Sequence, residues 1–232
     1  MLLNELRKKT VQTYVLRTGR ITPAQRKALL SEQFEYGLSL SAGLINTDEI
    51  FGRKGLTVLE IGFGMGDALA EMASNHRDEN YIGIEVHPPG IGNLIKLVDS
   101  WSLTNVRIYW ADALDVINEC LPKYSLDRVQ VYFPDPWHKK KHHKRRLVTK
   151  DFLSKIADKL KSGGIFHFVT DWKPYAECVM DLVDGNSRFI NLAGKSNYSE
   201  RPNYRPVTKF EKRGERLGHE IWEIILEKSF KD

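Results

Sequence analysis

A chain of 232 residues with a formal net charge of +5 and a pI near 9.1 is long enough for one well-buried core with extensions, and short for two equal domains. No apolar run approaches the roughly 20 residues that a bilayer span requires, the opening MLLNELRKKT has no signal-peptide core, and Cys120 and Cys178 are too few for a disulfide framework, so a cytoplasmic location is expected. The basic excess is concentrated: residues 137–146, WHKKKHHKRR, hold six Lys or Arg, three His and no acid, which points to one acidic partner.

Residues 1–50 are the least patterned part, with Arg7, Lys8, Lys9, Arg17, Arg20, Arg26 and Lys27 scattered among few acids. They read as a basic N-terminal extension, partly mobile, that folds over a site in the remaining domain, residues 51–232. Residues 57–66, TVLEIGFGMG, join a buried strand (Val58, Leu59, Ile61) to a helix that starts near Ala68 and runs to about His76. Gly62, Gly64 and Gly66 at the junction let the backbone turn sharply and approach a ligand. The pattern is E-x-G-x-G-x-G rather than the dinucleotide G-x-G-x-x-G, and Glu60 beside the turn would repel a pyrophosphate. A ligand without phosphates and with positive charge suits it better, and S-adenosyl-L-methionine, with a sulfonium, an ammonium and a carboxylate, is such a ligand.

A second strand, 81–85, ends in Glu85; after a Pro88-Pro89-Gly90 loop, Ile91, Leu94, Ile95, Val98 and Trp101 continue at helical spacing. A third strand spans 106–110 and is closed by Asp112, before a short helix over 113–120. A fourth, 128–133, runs into Pro134-Asp135-Pro136. Thr149 caps a helix to about Leu160, Gly163-Gly164 turns the chain, and a fifth strand, 165–170, ends at Asp171. Pro174 opens a helix to about Asp184, and 189–192 and 220–226 read as closing strands around a long Arg/Pro/Tyr-rich loop. Strands alternating with helices imply an α/β Rossmann-like fold, a mainly parallel seven-stranded sheet with helices on both faces.

Ligands in such sheets dock beyond the carboxyl ends of the strands. An acid stands at or just past the end of all five parallel strands: Glu60, Glu85, Asp112, Asp135 and Asp171. Glu85 is placed to accept from a ribose diol, Asp112 from an adenine amino group, and Glu60 faces the ammonium. Asp135 is stiffened by its two prolines and resembles the polar residue of the N/D-P-P-aromatic loop with which some methyltransferases hold an amino group or base edge. As a carboxylate it suits guanine, whose N1–H and N2–H₂ form a donor pair. His138, His142 and His143 sit among lysines that would repel a cation, so no metal is expected.

The blocks EIGFGMG, GIEVHPPGIG, PDPWHKKKHHKRR, TDWKPYA and RPVTKFEKRGERLGH, in order across about residues 57–223, resemble the tRNA (guanine-N7-)-methyltransferase family, class I S-adenosylmethionine-dependent enzymes of bacterial type. The resemblance implies methyl transfer to N7 of a guanine in the tRNA variable loop. It implies cofactor contacts at Glu60, Glu85, Asp112 and Asp135, the last also the catalytic acid, beside Gly62, Gly64 and Gly66. Substrate contacts fall on Lys139, Asp171, Thr208, Lys209, Phe210 and Glu211. The RNA-interaction segment falls on Lys141, His142, His143, Lys144, Arg145 and Arg146; Lys141 and His143 stand where relatives often have Arg and Asn. The expected partner is tRNA, with no membrane, for a monomer or homodimer. The competing reading is a non-catalytic RNA-binding protein that retains the fold.

Overall fold

The computed structural model describes residues 12–14, 22–23, 36–216 and 218–230, so the basic residues named above in 1–27 lie outside the described residues. The described residues form one sheet of eight strands: β1 (Gly37–Leu38), β2 (Thr57–Ile61), β3 (Asn80–Glu85), β4 (Val106–Trp110), β5 (Leu126–Tyr132), β6 (Leu160–Thr170), β7 (Phe189–Asn191) and β8 (Trp222–Lys228). Their order is β1-β4-β3-β2-β5-β6-β8-β7, with β8 antiparallel to both neighbours and every other pairing parallel.

Helices α1 (Thr47–Phe51), α2 (Asp67–Asn75), α3 (Pro88–Ser100), α4 (Ala113–Glu119), α5 (Lys150–Lys159), α6 (Lys173–Asp184) and α7 (Lys209–Arg216), with 3-10 turns at Leu40–Ala42 and Lys140–Arg145, complete the described elements. β2 and β3 are buried along their whole length because helices cover both faces of the sheet. Successive residues point to opposite faces, so Val58 joins a core with Leu69, Leu94 and Ile108 while Leu59 joins another with Ile82, Val129 and Phe166. Thr149 caps α5 as its sequence predicts, its Oγ1 accepting from the Phe152 amide at 3.2 Å.

Three departures from the sequence reading have identifiable causes. The division at residue 50 does not hold for its last residues: Gly37 and Leu38 pair with Ile108 and Tyr109 of β4, Ile45 is buried in the core, and the sheet gains an eighth strand. Gly163-Gly164 do not end an element but lie within β6, where the ladder with β5 breaks: Leu160 pairs with Leu126 and pairing resumes at Ile165 with Arg128, so residues 161–164 stand opposite Asp127 alone. The Arg/Pro/Tyr-rich loop contains α7, whose start is described below.

Candidate active site

At the end of β2 the chain enters the left-handed region three times, with φ of 75° at Gly62, 59° at Gly64 and 78° at Gly66. Only glycine takes this path without strain. A neighbour is held as close: a Cβ on Gly90, at the start of α3, would lie 1.9 Å from the Gly64 carbonyl oxygen. Glu85 ties the turn to the end of β3. One of its carboxylate oxygens accepts from the amides of Val86 (2.7 Å) and His87 (3.0 Å), and the other from the Gly64 amide (2.9 Å).

The five strand-end acids stand at or follow the carboxyl ends of the parallel strands β2 to β6 but differ in burial and partners. Glu85 and Asp135 line a cleft of about 210 Å³ with Gly62, Ile84, Ala113 and Tyr14. Asp112 uses Oδ1 to cap α4, accepting from the Leu114 amide at 2.8 Å. Asp171 is one-third exposed, with its Oδ2 3.6 Å from Nδ1 of His219. Glu60 is buried at 3% exposure, on the sheet face that carries Val58 and Met72, and accepts from Nε2 of Gln130 at 3.4 Å. Burial pushes its carboxyl up to about 8, so without a cation beside it Glu60 is protonated at neutral pH. Both faces of β2 are covered, so an acid within this strand has lost its water and is not a ready anion.

The loop after β5 has an unusual backbone at both ends. Phe133 (φ 49°) and Trp137 (φ 50°) are left-handed, whereas the prolines between them fix ordinary φ values. The turn is therefore displaced onto two bulky residues, and Asp135 stands exposed at the cleft wall between them. Lys139 follows as the cap of a 3-10 helix, Lys140–Arg145, on which Lys140, Lys141 and Lys144 are exposed.

The two arginines of this segment face elsewhere. Arg146 is buried, donates to the carbonyls of Pro136 (3.0 Å) and Pro174 (3.4 Å), and lies over the Tyr175 ring. Arg145 donates to the carbonyls of Gln12 (2.9 Å) and Tyr14 (3.1 Å), and Nε1 of Trp137 donates to that of Thr13 (3.1 Å). Thr13 and Tyr14 thereby become part of the cleft wall. His142 is held below the ordinary histidine range, by desolvation first and then by the surrounding cations Lys141, Arg145, Lys139 and Lys144. Among the described residues no group of three or more His, Cys, Asp and Glu could hold a metal ion.

Thr208 and Glu211 open α7. The Glu211 amide donates to Thr208 Oγ1 at 3.1 Å, and the Thr208 amide donates to Glu211 Oε2 at 3.4 Å, the reciprocal pattern of a capping box. Glu211 is buried because Arg205 takes it in a two-pronged bond, Nη1 to Oε2 at 2.6 Å and Nη2 to Oε1 at 3.0 Å. Arg205 also binds Glu223, whose Oε2 lies 3.3 Å from Nε2 of His167. His167 meets the Tyr132 hydroxyl at 3.1 Å, and that hydroxyl donates to Gln130 at 2.9 Å. A buried polar chain thus runs from Glu60 to the start of α7. Phe210, beside Glu211, is 66% exposed and lies parallel to the Phe133 ring.

Sequence reasoning passed over Arg205, Phe133 and the segment 12–14. The T-x-x-E spacing from Thr208 to Glu211 is itself a helix-start signal, and it would have revealed α7 and the need for a partner for Glu211. No local signal marks the carbonyls of residues 12–14, whose partners lie more than a hundred residues away.

A sequence family described as "Putative methyltransferase" matches residues 54–224. The tRNA (guanine-N(7)-)-methyltransferase of Saccharophagus degradans is 51% identical over 97% of this chain and 98% of its own length. That of Marinobacter nauticus is 51% identical over 93% and 91%. Among solved structures, an antibiotic-related methyltransferase aligns with a TM-score of 0.56 at 22% identity, covering 81% of this chain and 94% of its own. An rRNA methylase from Streptococcus thermophilus aligns at 0.51 and 16%, covering 75% and 87%. These two share the class I methyltransferase fold. With half the sequence identical to such relatives from end to end, the chain belongs to the tRNA (guanine-N(7)-)-methyltransferase family.

Proposed function

We propose that this enzyme transfers the methyl group of S-adenosyl-L-methionine to N7 of a guanine in the variable loop of tRNA, forming N7-methylguanosine. The observation that carries the reading is the position of Asp135: exposed on the cleft wall, on a proline-stiffened loop, immediately before a helical turn of exposed lysines. That order supports reading Asp135 as the base-binding acid and the lysines as the phosphate-binding surface beside it.

The residues fit the methyl donor. Gly62 and Gly64 present bare backbone to open space, with no atom within 4 Å of where a Cβ would stand. Glu85 would hold the ribose hydroxyls, Asp112 the adenine amino group through the oxygen not used in capping, and Glu60 would face the cationic end once a positive charge restores its ionisation. When bound, S-adenosyl-L-methionine supplies an electrophilic methyl group on its sulfonium.

N7 of guanine has a lone pair and no proton, so no side chain has to act as a general base. The residues work by placing the base and by offsetting the charge that develops on it. Asp135 accepts from N1–H and N2–H₂ of the guanine and, as an anion, favours the cationic product ring. Lys139, Lys140, Lys141 and Lys144 grip phosphates, positioning the RNA without reading its sequence.

The test is incubation with unmodified tRNA transcripts and a methyl-labelled donor, followed by cleavage mapping of N7-methylguanosine. Label at one variable-loop guanine is expected. Absence of label, or label on another atom or elsewhere in the tRNA, refutes the reading.

A further inference from the structure

We infer that Phe133 and Phe210 form a paired aromatic platform on which the target guanine stacks, and that this stack tightens as the methyl group arrives. The inference rests on the reading above that the substrate base is a guanine.

The two rings belong to separate parts of the chain, one at the end of β5 and one on the first turn of α7, yet their planes are 18° apart with centroids at 6.4 Å. That separation is at the far end of the range for ring–ring contact, so the pair is aligned without being closed face to face. Phe133 lines the cleft with Asp135, which places the platform beside the proposed base-binding acid.

Each ring is held where it is at a cost. Phe133 is left-handed (φ 49°), a conformation that disfavours a bulky side chain, and such strain clusters at functional sites. Phe210 is 66% exposed although its neighbour Glu211 is anchored by Arg205, so a fixed helix holds an apolar ring out in water. A helix start needs the capping pair, not a phenyl ring between its members.

A base taken out of its stack requires a replacement π face, and single-stranded bases find it on aromatic side chains. Methylation at N7 makes the purine ring cationic, and an aromatic face attracts a cation more than the neutral base. The platform therefore binds the transition state more strongly than the substrate, which raises kcat.

The experiment compares labelled-methyl transfer at saturating tRNA and donor with tRNA binding by filter retention, for the wild type, Phe210→Ala, Phe210→Trp and Phe133→Leu. Phe210→Ala is expected to lower kcat about tenfold or more with tRNA affinity little changed, because phosphate contacts supply most of that affinity. Phe210→Trp is expected to keep most of the activity. Phe133→Leu, which keeps apolar bulk and loses the ring, is expected to fall as Phe210→Ala does, with thermal melting showing that each variant is folded. Wild-type kcat in Phe210→Ala or in folded Phe133→Leu overturns the platform, as does a defect confined to tRNA affinity. A wild type that methylates no tRNA refutes the functional reading itself; an active wild type beside unimpaired phenylalanine variants refutes the platform alone.

Discussion

The guanidinium of Arg145 lies over the indole of Trp137, 3.8 Å from the ring centroid, and both side chains donate to backbone carbonyls of residues 12–14. The stack fixes the two donors that hold Thr13 and Tyr14 in the cleft wall. Arg145→Ala is expected to weaken binding of S-adenosylhomocysteine about tenfold, from the loss of charge-assisted hydrogen bonds and the cation–π contact. Calorimetric titration without RNA checks this, and unchanged affinity would show that the contact does not shape the cleft.

Asp135→Ala is expected to lower kcat by about a hundredfold or more while leaving tRNA affinity close to wild type. Because Asp135 is exposed, its unfolding free energy should change by no more than about 0.5 kcal/mol. Unchanged turnover at saturating substrates would remove Asp135 from the chemistry.

Exposed and buried cations of the basic segment should behave differently. Lys141→Ala with Lys144→Ala is expected to weaken tRNA binding and to reduce the slope of log affinity against log salt by roughly two, with stability unaffected. Arg146→Ala is expected instead to cost about 2–4 kcal/mol of stability, since it leaves two carbonyls and the Tyr175 face without a partner. Denaturant unfolding beside salt-titrated binding separates the two, and a salt slope identical to wild type in the lysine variant would contradict the assignment.

Burial holds the Glu60 carboxyl at about 8 in the folded chain, against 4.5 for the ordinary group. Between those values the folded chain keeps a proton that the unfolded chain has released, so the contribution of Glu60 to stability falls as pH rises through this window. His167 works in the opposite sense. Burial lowers its pKa, so the stability it contributes is present above 6.5 and is lost as pH falls through its lower folded value. Glu60→Gln removes only the first effect, and should stabilise the free enzyme by a few kcal/mol more at about pH 9 than at about pH 5. Urea unfolding at both values tests this; an equal difference at the two would mean that Glu60 ionises freely in the fold.

The sheet and the glycine turn were legible because their signals are local: apolar runs, helical spacing, and glycines at fixed offsets. Thr149 was readable as a cap for the same reason. Glu60 shows where that reading stops. Its place at a strand end is visible in the sequence, but which side of the strand it faces depends on parity along β2, and its protonation depends on the helices above it. Arg146 stands in a run that looks uniformly solvated, yet it is buried under the loop because Tyr175, on a later helix, offers it a surface. Residues 36–50 read as part of the extension, not of the sheet, since β1 is two residues long and carries no periodicity to find.

The pair that starts α7 also changes how mutants in this family are to be interpreted. Thr208 and Glu211 bind each other and Glu211 is held by Arg205, so a variant at either position would slacken the helix that carries Phe210 before any lost contact to RNA came into play. An activity screen alone would score such a variant as defective in substrate recognition. Separating scaffold from recognition at these two positions requires a measurement on the enzyme with no RNA present.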